Sequence, residues 1–358
     1  MGTPDAFARL RQIIDDCFGG PPQTIREHPA ASGSAGSAAD APPGESCKTV
    51  VIQTHDYPDH DAVASAFGLS ELLFRHGYSV KIVYRGAIRS HSLWSMITEL
   101  DIPLIRARDD MVPEELINCP CIVVDGNPTN TNARVITNRL IGVVDHHANA
   151  GKPDCPFIDI RSSYGSCSTI VFDYWQETEL LPARAVATAM LMGIQMDTDF
   201  LTRRVSPPDL DALHRLFFQS DWEFGTSVVK ASLSKKDLPA FEMAAGNSRI
   251  QGSLFFTVIT IDISQELVSI LADFFLRLRE ISLTVIIENQ GERHHVSVRS
   301  RAADVSAAKI IREALVDIGS GGGHDHMAGG VLDPSIPISE EALFQRFVEA
   351  VESAQENQ

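Results

Sequence analysis

Hydrophobic and polar positions fall along the chain in blocks of two kinds. Residues 4–18 place Phe7, Leu10, Ile13, Ile14 and Phe18 at helical spacing, which predicts a short amphipathic helix within residues 1–27. That helix has two open docking options, its own domain or a second subunit. Residues 28–46, HPAASGSAGSAADAPPGES, are small, proline-rich and aperiodic, and read as a flexible linker. From Cys47 a β-branched run, CKTVVIQTH (47–55), precedes a helical stretch, DAVASAFGLSELLFRHG (61–77), and then a second strand, YSVKIVYRG. CIVVDGN (121–127) and LIGVVDHH (140–147) are two further apolar runs, each ending in acid. Strands alternating with helices over residues 47–205 predict an α/β fold, a parallel sheet with helices on both faces. Ligands of such sheets bind beyond the carboxyl ends of the strands.

A helix, ARAVATAMLMGIQMDTDF (183–200), carries Asp197 toward the same edge. Residues 206–248 read as a helical connector, opened by Ser206 as N-cap and Pro207 in the first turn. A second, smaller α/β domain is expected over 249–358. It contains the strands SLFFTVITID, ISLTVIIE and HHVSVRSR, with a turn at Asn289-Gln290-Gly291. A helix from about Asp304 to Ile318, the glycine-rich stretch GSGGGHDHMAGG (319–330) and an amphipathic tail helix capped by Ser339 complete it.

Composition narrows the picture. With 358 residues the chain can bury two cores, and 44% hydrophobic against 22% charged residues is ordinary for a globular protein. No run of about 18 apolar residues predicts a membrane span. The N-terminus lacks the basic start and apolar stretch of a secretory signal, and its Met-Gly start reads as an ordinary second residue rather than a lipid-anchor site. Six cysteines, none in CxxC spacing, read as buried thiols of a reducing compartment, hence the cytoplasm. The net charge is −17, with 30 Lys plus Arg against 47 Asp plus Glu. Long duplexes are held through phosphate neutralisation by basic surfaces, which this balance does not provide. A small phosphate ligand fits better, with metal ions supplying the attraction locally.

Four constellations carry chemistry. THDYPDHDAVAS holds H-x₃-D-x-D as His55, Asp59 and Asp61; alone it reads equally as a metal set or as an acidic loop with Asp61 capping the helix. Asp125 after an apolar strand is by itself unremarkable. Asp145-His146-His147, three titratable groups directly after a buried strand, favours metal binding or catalysis. Asp197 at a helix end is uninformative alone, and its neighbour Asp199 competes for the role. All four fall at one predicted sheet edge. Together they offer two histidines and four aspartates, a set suited to two divalent ions sharing a bridging carboxylate.

HDYPDHDAVAS, VVDG, VVDHH and GIQMDT are similar to four motifs of the DHH phosphoesterases, and SVRSR and GSGGGHDHMAGG resemble motifs of the associated C-terminal domain. The resemblance covers about residues 48–335. It implies that His55, Asp59, Asp61, Asp125, His146 and Asp197 ligate two divalent ions, manganese above all, with Asp125 as the bridge. Asp145 and His147 would orient His146 and contact the phosphate as catalytic groups. Arg299, Ser300, Gly321, Gly322, Gly323 and His324 would bind substrate, the glycines by backbone approach and Arg299 by its fork. His326 and the His294-His295 pair read as surface histidines. Asp199, His326 and Met327 depart from the small or aromatic residues usual at their positions.

The arrangement looks most like the branch that degrades nanoRNA and pAp, giving nucleoside monophosphates from substrates of two to five nucleotides. Alternatives are a soluble cyclic-dinucleotide phosphodiesterase and a nucleotide-sensing module that binds without cleaving. No long duplex nucleic acid and no membrane is expected as partner; a homodimer is the family-level expectation.

Overall fold

The computed structural model describes residues 5–22, 49–88, 90–107, 113–130, 133–148, 151–230, 233–290, 293–302 and 305–356. The expected linker, Cys47, Gly291 and Asp304 lie outside the described residues. The chain divides into two compact units, Met1–Ser232 and Leu233–Gln358. The helices expected to connect them are therefore shared out between them.

Unit one begins with α1 (Ala6–Phe18), followed by β1 (Thr49–Gln53), α2 (His60–Arg75), β2 (Ser79–Tyr84), α3 (His91–Glu99) and β3 (Leu104–Arg106). β4 (Pro120–Val124), β5 (Arg139–Asp145), β6 (Phe157–Ile160), α4 (Cys167–Glu177), α5 (Arg184–Asp197), α6 (Pro207–Phe217) and α7 (Trp222–Lys230) complete it. Its strands run in the order β3-β2-β1-β4-β5-β6, all parallel. The chain leaves β1 toward one edge and returns at β4 to build the other, so the order reverses between β1 and β4. A crevice opens at such a reversal, and His55 and Asp125 follow those two strands.

α1, α2, α4 and α5 contribute to one core with Val50, Ile52, Ile122, Val124 and Val144 of the strands. The opposite face, lined by Val51, Val83, Cys121, Val123 and Val143, is covered by Ala107, Leu116, Ala133 and neighbouring connections. Ala133, Val135 and Ile136 of the β4–β5 connection and Cys155 of the β5–β6 connection pack on this second face. β3, β6, α3 and α4 are elements that the sequence pattern did not reveal.

α1 docks on its own unit. Phe7, Leu10 and Ile14 are buried in the first core, and both Glu177 carboxylate oxygens accept the leading amides, from Ala6 at 3.1 Å and Phe7 at 2.9 Å. Tyr78 donates its hydroxyl to Asp15 beneath it. Among the described residues, Cys121 and Cys167 are buried free thiols, while Cys17, Cys119 and Cys155 are only half-buried. No helix of the described residues is long and apolar enough to cross a membrane.

Unit two holds α8 (Leu238–Gly246), β7 (Arg249–Gln251), β8 (Leu254–Ile259), α9 (Gln265–Leu276), β9 (Leu283–Gln290) and β10 (Arg293–Ser300). α10 (Ala307–Ala314), β11 (Gly319–Gly323), β12 (Met327–Leu332) and α11 (Glu340–Glu356) follow. The sheet order is β11-β12-β10-β9-β8-β7, antiparallel except between β8 and β9. α10 and α11 cover one face over Phe256, Val285, Val296 and Val298; α8 and α9 cover the other over Phe255, Ile259 and Ile286. The glycine-rich stretch forms the antiparallel β11-β12 pair.

Candidate metal centre

The carboxyl ends of β1, β4 and β5 and the ends of α2 and α5 bring six side chains into two neighbouring triads. His55, Asp59 and Asp125 offer ligand atoms within 4.8 Å of one another, as do Asp61, His146 and Asp197. Asp125 faces both groups. Its Oδ2 lies 3.7 Å from His55 Nε2, and its Oδ1 lies 3.3 Å from His146 Nε2. His146 Nε2 is also 2.9 Å from Asp197 Oδ2 and 4.0 Å from Asp61 Oδ2. His55 Nε2 is 3.9 Å from Asp59 Oδ1.

These spacings suit cations. Two ligand atoms each about 2.1 Å from one ion lie roughly 3.0 Å apart at right angles and about 4.2 Å apart across it. Asp125 Oδ1 and His146 Nε2 are buried without a hydrogen-bond partner, although they face other polar atoms. Buried polar atoms left so are costly, and a shared ion is one way to satisfy them. Each imidazole is also held by its far nitrogen: His55 Nδ1 is 2.8 Å from the Asp56 carbonyl and His146 Nδ1 3.3 Å from the Tyr164 carbonyl. That fixes Nδ1 as the protonated nitrogen and leaves Nε2 to the centre, the habit of metal-ligating histidines.

Electrostatics point the same way. Burial pushes Asp61 well above the usual carboxylate range, and the nearby Asp125 and Asp197 charges add to it. Burial likewise raises Asp197. Burial would push both imidazoles down, but Asp59 and Asp125 hold His55 up at about 10, and Asp125 and Asp197 hold His146 up at about 12. Without cations the cluster draws protons to offset four crowded carboxylates; divalent ions supply that charge instead. The donor set therefore fits a pair of divalent cations.

The local backbone explains the convergence. Asp59, not Asp61, caps α2, its Oδ1 accepting the Ala62 amide at 3.0 Å. Asp61 points instead at the start of α4, accepting the amides of Cys167 at 2.6 Å and Ser168 at 2.9 Å. His60 between them turns to Ser92 Oγ at 2.9 Å, and burial pushes it down to about 4. Asp125 takes a left-handed backbone (φ 53), and Gly126 beside it admits His55, since a Cβ there would meet His55 Cβ at 3.0 Å. Asp145 does not grip the His146 ring. Its Oδ1 accepts the backbone amides of His146 at 2.8 Å and His147 at 3.2 Å, and His147 Nδ1 at 2.8 Å. It thereby orients His147, which is half-exposed and whose pKa that hydrogen bond raises.

Sequence reasoning missed the loop that supports these groups. Asp209 on α6 is fully buried and accepts from Gly165 N (2.9 Å), Ser206 N (2.7 Å), Ser206 Oγ (2.5 Å) and Thr169 Oγ1 (2.6 Å). It anchors the segment whose carbonyl holds His146 and whose amides hold Asp61. Glycines inside otherwise regular stretches were the available signal: a Cβ on Gly165 would meet Asp209 Oδ2 at 2.7 Å, and one on Gly193 would meet Asp61 Oδ1 at 2.9 Å.

The residues expected to bind substrate gather in unit two. Arg299 is buried on β10, with Nη1 donating to Ser297 Oγ (3.0 Å) and the Val298 carbonyl (3.2 Å), and Nε 3.3 Å from Asp273. Ser300 follows it and donates its amide to the His326 carbonyl at 2.9 Å. The His324 and His326 rings lie nearly parallel, 6.0 Å apart. The three glycines differ. A Cβ on Gly321 would meet Ile311 of α10 at 2.8 Å, so Gly321 serves hairpin packing. Gly322 meets nothing within 4 Å, and Gly323 is left-handed (φ 150) at the turn into His324.

The chain matches known sequence families in two places: the DHH family, N-terminal domain, over residues 49–194, and the DHHA1 domain over 251–357. It is 27% identical over 84% of its length to the uncharacterized protein MJ1633 of Methanocaldococcus jannaschii, of which it spans 62%. A probable manganese-dependent inorganic pyrophosphatase of Streptococcus thermophilus is 27% identical over 61% of this chain and 73% of its own. The cyclic-di-AMP phosphodiesterase PdeA of Listeria monocytogenes is 23% identical over 74% of this chain and 46% of its own. An exopolyphosphatase-related protein from Bacteroides fragilis shares the fold, with a TM-score of 0.71 at 17% identity, covering 85% of this chain and 92% of its own.

Proposed function

Because residues 49–194 form a DHH-family N-terminal domain and residues 251–357 a DHHA1 domain, we propose that this phosphoesterase hydrolyses short oligonucleotides, linear dinucleotides or pAp to nucleoside monophosphates. The observation that carries the reading is Asp125, whose two carboxylate oxygens face different imidazoles in adjoining triads. His55, Asp59 and Asp125 would hold one divalent ion, and Asp61, His146, Asp197 and Asp125 the other. Bound there, two such ions neutralise phosphoryl charge and acidify water near neutral pH; manganese, named for the pyrophosphatase relative, is the first choice.

The chain's own residues do the rest. Asp145 fixes the His147 imidazole through Nδ1 and raises its pKa, and in the protonated form the remaining nitrogen would donate to a phosphoryl or leaving oxygen. Arg299, Ser300, Gly322 and His324 of unit two would bind substrate. The acidic balance favours a small ligand over a duplex, and the free thiols support a reducing, cytoplasmic setting. We extend the family-level expectation of a homodimer to this chain.

A cyclic-dinucleotide substrate is the second reading, favoured by the similarity to PdeA over 74% of this chain. Hydrolysis of pAp, a linear dinucleotide, a cyclic dinucleotide and pyrophosphate, each with Mn²⁺, Mg²⁺, Co²⁺ or EDTA, separates these. The first reading expects turnover of pAp or the linear dinucleotide, lost in EDTA. Preference for the cyclic compound selects the second reading. Binding without turnover of any of them selects a sensing module.

A further inference from the structure

Tyr57 sits in the loop between β1 and α2, two residues after His55 and two before Asp59. Its backbone is left-handed, φ 59, a conformation that bulky L residues rarely adopt. Nor is the ring buried in compensation, since Tyr57 is 64% exposed. Yet it is not loosely solvated. A Cβ built on Gly86 would lie 2.8, 2.9 and 3.0 Å from Cδ1, Cε1 and Cγ, three consecutive carbons of the Tyr57 ring. Near-equal distances to bonded neighbours put that point over the ring's face, because an approach at the edge would leave the flanking carbons much farther away. The ring therefore lies flat against Gly86, which is itself left-handed (φ 77), and the Tyr57 amide donates to the Arg85 carbonyl at 3.1 Å.

Two unusual backbone positions thus hold one face of an aromatic ring against the main chain, in the very loop that supplies His55 and Asp59. Strain of this kind persists where the surroundings impose it, and it concentrates at ligand sites.

We propose that the open face of Tyr57 is a stacking platform for a nucleobase of the substrate. It thereby selects phosphate esters that carry a base beside the scissile phosphate over base-free phosphates. This rests on the phosphoesterase reading and narrows its substrate class. Every base presents a π-face, so one tyrosine serves purines and pyrimidines alike and adds affinity without positive charge, which this acidic chain lacks. The hydroxyl takes no part, so phenylalanine must serve as well.

The test uses the full chain with Mn²⁺ and two substrates, a linear adenine dinucleotide and the same sugar-phosphate diester without bases. The wild type should prefer the dinucleotide by roughly ten-fold or more in kcat/KM. Tyr57→Ala should raise KM for the dinucleotide by about ten-fold with kcat little changed, erasing the preference, and Tyr57→Phe should keep it. Tyr57→Leu, which keeps bulk without a ring, replaces the alanine variant should that one fail to fold. Calorimetric binding of non-hydrolysable phosphonate analogues of both compounds gives a second readout. A preference that survives in Tyr57→Ala or Tyr57→Leu, or equal loss on both substrates, overturns the platform. If neither diester is cleaved, nor pAp nor a cyclic dinucleotide, but the analogues still show a Tyr57-dependent preference, the hydrolase reading fails and stacking stands. Equal cleavage of both diesters by the wild type, unaltered by the substitution, sinks stacking and leaves hydrolysis intact.

Discussion

The main-chain carbonyl of Tyr164 lies 3.3 Å from His146 Nδ1, so a residue 18 positions downstream decides which imidazole nitrogen faces the acidic cluster. The same segment, three and four residues on, offers its amides to Asp61. One loop therefore aims an imidazole and a carboxylate of the same triad, and what fixes the loop controls both.

Asp209 fixes it. Asp209→Asn replaces an acceptor oxygen with an N–H that confronts donors already there, and should cost about 2–4 kcal/mol of stability, read as a lower melting temperature. It should also weaken Mn²⁺ binding by roughly ten-fold, as loss of outer-shell partners does elsewhere. Calorimetric titration of the folded variant checks this. Unchanged metal affinity would show that the loop supports the fold without aiming the ligands.

Asp125 serves stability as well as function. In EDTA its carboxylate lies 3.7 and 3.3 Å from the protonated His55 and His146 imidazoles, so Asp125→Asn should destabilise the metal-free protein, by about 1–3 kcal/mol. Wild type should gain about 2.7 kcal/mol at Mn²⁺ one hundred times its Kd, roughly 5–10 °C in melting temperature. The variant should lose most of that gain together with turnover. Full activity in Asp125→Asn or His146→Ala would end the two-ion scheme.

Much of the site could be read from the chain because parallel strands end at one edge: β-branched runs closing in His55, Asp125 and Asp145-His146-His147 had few other places to go. The way Asp125 faces both His55 and His146, by contrast, depends on its left-handed backbone, which no local pattern announces. Asp61 was open to reading as a cap because capping and ligation use the same residue types; only the placement of α4 against α2 decides it. β6 and β3 were missed because four and three residues carry too little periodicity. The glycine hairpin was missed because glycine has low strand propensity, overridden here by pairing of β11 with β12 and by its fit to α10.

That hairpin separates structure from binding by one residue. Gly321→Ala presses a methyl group into Ile311 and should destabilise unit two by about 1–3 kcal/mol, seen in thermal melts. Gly322→Ala meets nothing and should melt like wild type. If β11 admits a phosphate by its backbone, Gly322→Ala should still raise KM several-fold. An unchanged KM removes Gly322 from the substrate site.

Asp199 tests the turn beyond Asp197. Asp199, Phe200 and Leu201 are left-handed in succession, φ 46, 53 and 66, immediately after α5. An L residue there costs about 1–2 kcal/mol, while glycine adopts the conformation freely but loses roughly 0.5–1 kcal/mol more chain entropy. Asp199→Gly should therefore stabilise by up to about 1 kcal/mol, a rise of roughly 2–4 °C for a domain of this size. Asp199→Ala removes the same charge but keeps the Cβ, so it should be neutral or destabilising. The pair isolates backbone from charge: equal melting temperatures in both variants would mean that repulsion from the acidic cluster, not the left-handed turn, is what Asp199 brings to this end of α5.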